Sequence, residues 1–256
     1  MTASAPGPED AARVALVTGA SSGIGAATAQ ALGALGWPVA LGARRLARLE
    51  EVAAGVERLG GRAFVHALDV GDPDSIEVFF EAVEKTLGPP DVVVNNAGIG
   101  RPALLHEARV EELREEITTN LLGPLWVSRR ALPALREKGR GDLVFISSLN
   151  AVAPRTYQAA YTASKAGVEG VARVLQMELE GTGVRASIVR PGPTGSEFGS
   201  GFGDELARSV VRSWRDWGVL RSLRWLSPDS VARAVVQVVT APPGTRVDVL
   251  QVLPET

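Results

Sequence analysis

Tyr161 and Lys165 stand four positions apart in a stretch with helical periodicity, which puts them on one face of a helix. A free tyrosine ionises at a pKa of about 10, too high for efficient proton exchange at neutral pH. A neighbouring ammonium stabilises the phenolate and lowers that value, so the pair reads as a general acid or base. Ser148 follows the apolar run 143–146. That is the C-terminal edge of a strand, where open parallel sheets bind ligands, and a hydroxyl there can hold a substrate oxygen as charge develops on it. At the other end of the chain, the apolar run 14–17 leads into Thr18-Gly19-Ala20-Ser21-Ser22-Gly23-Ile24-Gly25, and a helical pattern follows. Glycines so spaced allow a tight turn and close backbone approach to a pyrophosphate, which then sits where unpaired helix N–H groups point outward.

The elements that must position these groups alternate regularly. Apolar runs rich in Val, Leu and Ile occur at 14–17, 39–41, 63–65, 92–94, 143–146, 186–189 and 247–252. Between them lie helical patterns at 24–35, 46–59, 75–87, 110–135 and 161–179. Buried strands alternating with helices predict an α/β fold: one doubly wound, parallel, seven-stranded sheet of Rossmann type in a single domain. Asp72-Pro73 and Ser227-Pro228 place a capping residue before a proline at the first helical position. Residues 1–12 read as a loose tail. Residues 193–227, rich in glycine and then in Trp and Arg, interrupt the rhythm and read as a substrate lid.

Composition excludes several classes. With 45% hydrophobic and 22% charged residues among 256, the chain is ordinary globular protein rather than disordered or fibrous. Its net charge of −2 lacks the basic excess that phosphate neutralisation requires, so nucleic acid is not an expected partner. Without cysteine it has no disulfide, thiolate nucleophile or cysteine-ligated metal, and its two histidines, His66 and His106, are too far apart to suggest a metal site. His66 is expected in the core at a strand end, His106 on the surface or a pocket rim, and Trp37 and Trp126 in the core. No basic, apolar leader and no long apolar run occurs, which predicts a cytoplasmic protein without a membrane span.

Further motifs fall in order along the chain. Asn95-Asn96-Ala97-Gly98 follows the fourth apolar run, Asn120 stands in Thr-Asn-Leu-Leu-Gly-Pro, Ser148 precedes Tyr161 by 13 positions, and Pro191-Gly192 follows the sixth run. Together with the G-x3-G-x-G turn and Tyr161-Thr-Ala-Ser-Lys165, this order resembles the shorter-chain branch of the short-chain dehydrogenases/reductases over about residues 13–253. The resemblance implies a catalytic set of Asn120, Ser148, Tyr161 and Lys165. Asn120 would order a water relaying protons to Lys165, and Lys165 would also bond a nicotinamide ribose. It further implies cofactor contacts from Gly19, Ser21, Ser22, Gly23, Ile24 and Gly25 to the pyrophosphate, Asp69 and Val70 to the adenine, and Asn96 to the adenosine ribose. Pro191, Gly192 and Thr194 would flank the nicotinamide. Thr194 stands where the family often has Val, and Ser196 where it often has Thr.

The implied activity is NADP(H)-dependent interconversion of a ketone or aldehyde with an alcohol, and the rival expectation is a catalytically silent dinucleotide sensor or scaffold. NADP rather than NAD is expected because the position after the second strand is Ala43, followed by Arg44 and Arg45. No carboxylate is present there to repel a 2′-phosphate, and a guanidinium can grip one with paired donors, with Ser21 adding a hydroxyl. Trp214, Trp217, Phe198 and Phe202 suggest an apolar lid over a bulky hydrophobic carbonyl substrate. The family resemblance implies a homodimer or homotetramer, for which Leu121, Leu122, Leu125, Val168, Val171 and Leu175 offer apolar faces.

Overall fold

The computed structural model describes residues 12–195, 203–219 and 224–255. Strands β1 (Ala15–Thr18), β2 (Pro38–Ala43), β3 (Arg62–Ala67), β4 (Val92–Asn95), β5 (Gly141–Ile146), β6 (Val184–Pro191) and β7 (Val249–Val252) form one sheet in the order β3-β2-β1-β4-β5-β6-β7. Every pairing is parallel, with Val17 flanked by Leu41 and Val94. All residues of β1, β4 and β5 are buried, because helices cover both sheet faces; this is why those strands read as continuous apolar runs. Alternation along each strand sends residues to opposite cores. Val17, Leu41 and Val94 face one core with helices α1 (Gly23–Gly33), α2 (Leu46–Arg58) and α8 (Pro228–Val239). Leu16, Ala40 and Val93 face the other, with α3 (Pro73–Leu87), α5 (Gly123–Lys138) and α6 (Ala159–Glu178). Both expected caps form: the Asp72 carboxylate accepts from Asp74 N, and the Ser227 hydroxyl accepts from Ser230 N.

Two elements differ from the sequence reading. The single helix expected over 110–135 is broken into α4 (Val110–Ile117), a π-helical turn (Thr118–Leu122) and α5. Pro124, in the first turn of α5, has no N–H to continue the ladder, and Gly123 packs so tightly on Val70 that a Cβ there would lie 2.9 Å from its Cγ2. The expected lid contains a helix, α7 (Asp204–Asp216), with acidic residues in its first turn and Arg215 in its last, matching the helix dipole. The lid residues Ser196, Phe198 and Phe202, and tail residues 1–11, lie outside the described residues.

The apolar faces assigned to self-association are mostly used within the chain. Val168 and Leu175 are buried in the core, and Leu121 and Val171 pack against it, whereas Leu125, Val174 and Met177 are exposed. Trp37 is buried beneath the Arg13 guanidinium, while Trp126 is only partly buried. His66 is half-buried, stacked on Phe64 and tilted against Phe79, and His106 is exposed. Among the described residues no helix is long and apolar enough to cross a membrane.

Charges stitch the N-terminal edge of the sheet. Buried Asp142 pairs with Arg13 and takes two bonds from Arg185, at 2.7 and 3.0 Å. Arg13 also donates to Val239 O at 2.7 Å, and buried Asp91 accepts from Val14 N at 2.9 Å and Lys138 Nζ at 2.8 Å. The candidate site residues lie at the opposite edge.

Candidate active site

Strand order reverses between β1 and β4, and the crevice at such a point, outside the C-terminal strand ends, is where doubly wound sheets bind ligands. The turn after β1 is locked against the end of β4. Asn96 Nδ2 donates to Thr18 O (2.9 Å) and Gly19 O (3.2 Å), and the Thr18 hydroxyl accepts from the Asn96 and Ala97 amides at 3.0 Å each. Gly19 adopts φ 66°, and a Cβ on it would lie 2.7 Å from Ala97 Cα. A Cβ on Gly25 would lie 2.3 Å from Gly19 O. Only glycine fits at either position. Helix α1 begins here with no side-chain cap bond from Ser22 and no acidic residue in its first turn. Its leading N–H groups are therefore open to an anion.

Arg45 reaches back over this turn, donating to the Ser21 hydroxyl at 3.1 Å and the Ser22 hydroxyl at 2.9 Å. Arg44 is exposed and lies 3.7 Å from Glu115 Oε1. It lines a shallow cavity of about 300 Å³ together with Asp69, Gly71, Glu111 and Thr118. The Asp69 carboxylate accepts from Gly71 N, and Val70 is buried under Gly123. At the end of β6, Gly192 N donates to Val252 O, the Thr194 hydroxyl donates to Gly192 O, and Thr194 pairs with Leu226 ahead of α8.

The four proposed catalytic residues converge beyond β4 and β5. Ser148 starts a short 3-10 turn (Leu149–Ala151), its Oγ accepting from Asn150 N. The Ser148 side chain acts on the phenol of Tyr161, which lies in the first turn of α6. One turn on, Lys165 is buried, donates to Ile146 O at 2.8 Å, and lies 5.8 Å from the Tyr161 ring centroid. Asn120 is fully buried in the π turn, where its carboxamide bonds the Ile99 backbone in both directions and also reaches the Ser164 hydroxyl. The π turn swings Asn120 toward α6, where Asn120 Oδ1 and Lys165 Nζ both approach Gly98.

Electrostatics depart from the simple Tyr–Lys argument. Burial pushes the Tyr161 phenol up to about 12, against the opposing pull of the Ser148 bond and the Arg155 charge. Burial likewise lowers Lys165 to about 8. The expected depression of the tyrosine by its lysine is not among the influences on Tyr161, and desolvation dominates.

Two contributors went unread in the sequence. Glu116 sits in the charged run Glu-Glu-Leu-Arg-Glu-Glu, which reads as a solvated face, yet it is 2% exposed and its Oε1 has no hydrogen-bond partner. Burial raises its carboxyl to about 7, and its charge raises Tyr161 in turn. Arg155 stacks 4.8 Å from the Trp214 ring, and its charge acts on Tyr161. Trp217 and Trp225 are exposed.

A sequence model described as short chain dehydrogenase matches residues 13–207. The chain belongs to the short-chain dehydrogenase family. A short chain dehydrogenase of Pseudocercospora fijiensis is 36% identical over 190 residues, covering 73% of this chain and 62% of that one. An acetoacetyl-CoA reductase of Paracoccus denitrificans is 33% identical over 228 residues, covering 88% and 89% of the two chains. Among solved structures, an alcohol dehydrogenase of the archaeon Thermococcus sibiricus, complexed with 5-hydroxy-NADP, superposes with TM-score 0.81 at 33% identity, covering 94% of this chain and 96% of that one. As a short-chain dehydrogenase this protein is an oxidoreductase. Its glycine-lined turn, the uncapped start of α1 and the absence of an acidic residue in that first turn fit the pyrophosphate of a dinucleotide.

Proposed function

We propose that this short-chain dehydrogenase interconverts a ketone or aldehyde with an alcohol using NADP(H), with Tyr161 as the general acid/base. The observation that carries the reading is the convergence of Ser148 and Tyr161 with buried Lys165, in a fold whose glycine turn is open to an anion. Gly19, Ser21, Ser22, Gly23, Ile24 and Gly25 would hold the pyrophosphate. Asn96, Asp69 and Val70 would hold the adenosine half, and Pro191, Gly192 and Thr194 the nicotinamide half, with Lys165 on its ribose. Bound there, the cofactor supplies two-electron transfer as hydride. The archaeal relative's NADP derivative and the Ala43-Arg44-Arg45 sequence support NADP over NAD.

In the reducing direction, the Ser148 hydroxyl holds the substrate oxygen and Tyr161 gives it a proton. With its pKa near 12, the phenol keeps that proton across the neutral range until the oxygen becomes strongly basic. The Lys165 ammonium, still largely protonated at neutral pH, stabilises the phenolate left behind. Asn120 holds the loop after β4 against α6. The protein assembles as a homodimer or homotetramer through α5 and α6, supported by the exposed Leu125, Val174 and Met177; light scattering at micromolar concentration tests this.

The deciding experiment screens carbonyl compounds with NADPH at the nicotinamide absorbance, in wild type and Tyr161→Phe. The variant is expected to bind NADPH normally and to lose roughly 100-fold or more in turnover. Unchanged turnover would overturn the mechanism, and binding with no turnover of any carbonyl by wild type would favour a silent sensor.

A further inference from the structure

Arginines inside this protein come with carboxylates. The side chains of Arg13, Arg130, Arg185 and Arg190 are 12–21% exposed and each is ion-paired, with Asp142, Glu77 and Glu84, Asp142, and Glu169 respectively. Arg155 breaks this pattern. It is partly buried, and among the described residues no carboxylate pairs with it. Its contacts are the face of Trp214 and the electrostatic attraction of the Tyr161 phenol. Burial holds the guanidinium below its ordinary value, so the site bears a desolvation cost that no fixed anion among the described residues offsets.

The segment carrying Arg155 is held firmly. Trp214 Nε1 donates to Thr156 O at 3.0 Å, and the Thr156 and Ser213 hydroxyls meet at 2.7 Å, which ties α7 to it. Tyr157 adopts φ 65°, a left-handed backbone rare for an aromatic residue. It is kept there by Ala103 N donating to Tyr157 O at 2.9 Å and by the Asn150–Gln158 side-chain bond. Strain over-determined in this way marks sites where a side chain must be presented in one place. Here the side chain is a cation on the segment leading into α6, whose charge acts on the tyrosine that hands a proton to substrate.

Resting on the carbonyl–alcohol reading above, we infer that Arg155 is a substrate-specificity residue that grips a carboxylate on the molecule bearing the reacting carbonyl, making the preferred substrate an oxo acid or hydroxy acid. Planar, paired donors match a carboxylate, and a site with an uncompensated cation discriminates strongly against a neutral isostere. The Trp214 ring that backs the guanidinium then orients the anion-binding group rather than serving only as an apolar cover.

The test compares kcat/KM for acetoacetate and benzoylformate with their methyl esters, in wild type, Arg155→Gln and Arg155→Lys. Wild type is expected to favour the acids at least tenfold. Arg155→Gln should lose at least tenfold more on the acids than on the esters, the excess falling chiefly in KM, while Arg155→Lys recovers part of that excess. Binding is read separately: with NADP present, benzoate should quench tryptophan fluorescence in wild type but not in Arg155→Gln, and benzamide in neither. Equal use of acid and ester, parallel loss on both, or a preference confined to dihydroxyacetone phosphate over dihydroxyacetone overturns the carboxylate assignment. If neutral ketones are reduced without regard to charge, the oxidoreductase reading stands and only the role of Arg155 falls. If wild type reduces no carbonyl, both fall.

Discussion

Asn120 and Ile99 hold each other twice: Ile99 N donates to Asn120 Oδ1 at 2.8 Å, and Asn120 Nδ2 donates to Ile99 O at 2.7 Å. This reciprocal pair fastens the loop after β4 to the π turn, and through Ser164 to the helix bearing Tyr161 and Lys165. Replacing Asn120 with Ala orphans two backbone groups of the partly buried Ile99. The expected cost is about 1–3 kcal/mol of stability, with a fall in kcat larger than any rise in KM. Denaturant melts and steady-state kinetics on one preparation check both; unchanged stability would show that the pair is not a clamp.

Arg44 and Arg45 should separate in their effects. Arg44, loosely placed near Glu115, is free to meet a 2′-phosphate, so Arg44→Ala is expected to weaken NADPH at least tenfold and leave NADH nearly unchanged. Arg45 shapes the turn through Ser21 and Ser22, so Arg45→Ala should weaken both cofactors. Titrations of NADPH and NADH decide this, and a wild type that prefers NADH would end the NADP assignment.

Glu116 predicts a pH signature. Its folded carboxyl keeps a proton until about pH 7, whereas the unfolded one releases it near 4.5. Between those values the folded state binds more protons, so this group makes stability fall as pH rises, and the loss is complete above about 7. Glu116→Gln is therefore expected to raise Tm by roughly 3–8 °C at about pH 8 and by little at about pH 4. Removing its charge should also move the rising limb of alcohol oxidation to lower pH, since that charge raises Tyr161. A Tm difference that does not vary with pH would refute the assignment.

Two glycines offer opposite outcomes. Gly25→Ala would drive a Cβ to 2.4 Å from Asn96 Nδ2 as well as into Gly19 O, so cofactor affinity should fall at least tenfold. Gly170, inside α6, has nothing within 4 Å of the place an added methyl would take, and Gly170→Ala should stabilise by about 0.5–1 kcal/mol. Differential scanning and cofactor titration separate the two.

The strands and the glycine turn were legible because strands buried on both faces keep their apolar residues contiguous, and because the turn tolerates only glycine at Gly19 and Gly25. The break at the π turn was also signalled, by Pro124, but a periodic pattern spanning 110–135 hid it. Helix α7 carried its own marks, Asp204 and Glu205 at its start and Val210 four residues before Trp214, yet the surrounding glycines argued for a loop. Glu116 and Arg155 were not legible as site residues. Charge in a sequence implies solvent, and only tertiary packing removed it from them.

The stitched edge of the sheet has a consequence for change over time. Arg13, Asp91, Asp142 and Arg185 anchor one end of the strands, while Ser148, Tyr161 and Arg155 sit at the other, a strand's length of roughly 13–20 Å away. Substitutions at separations of that order act almost additively. A lineage, or a laboratory library, can therefore rewrite which molecule is accepted at one rim while heat tolerance is inherited unaltered from the other.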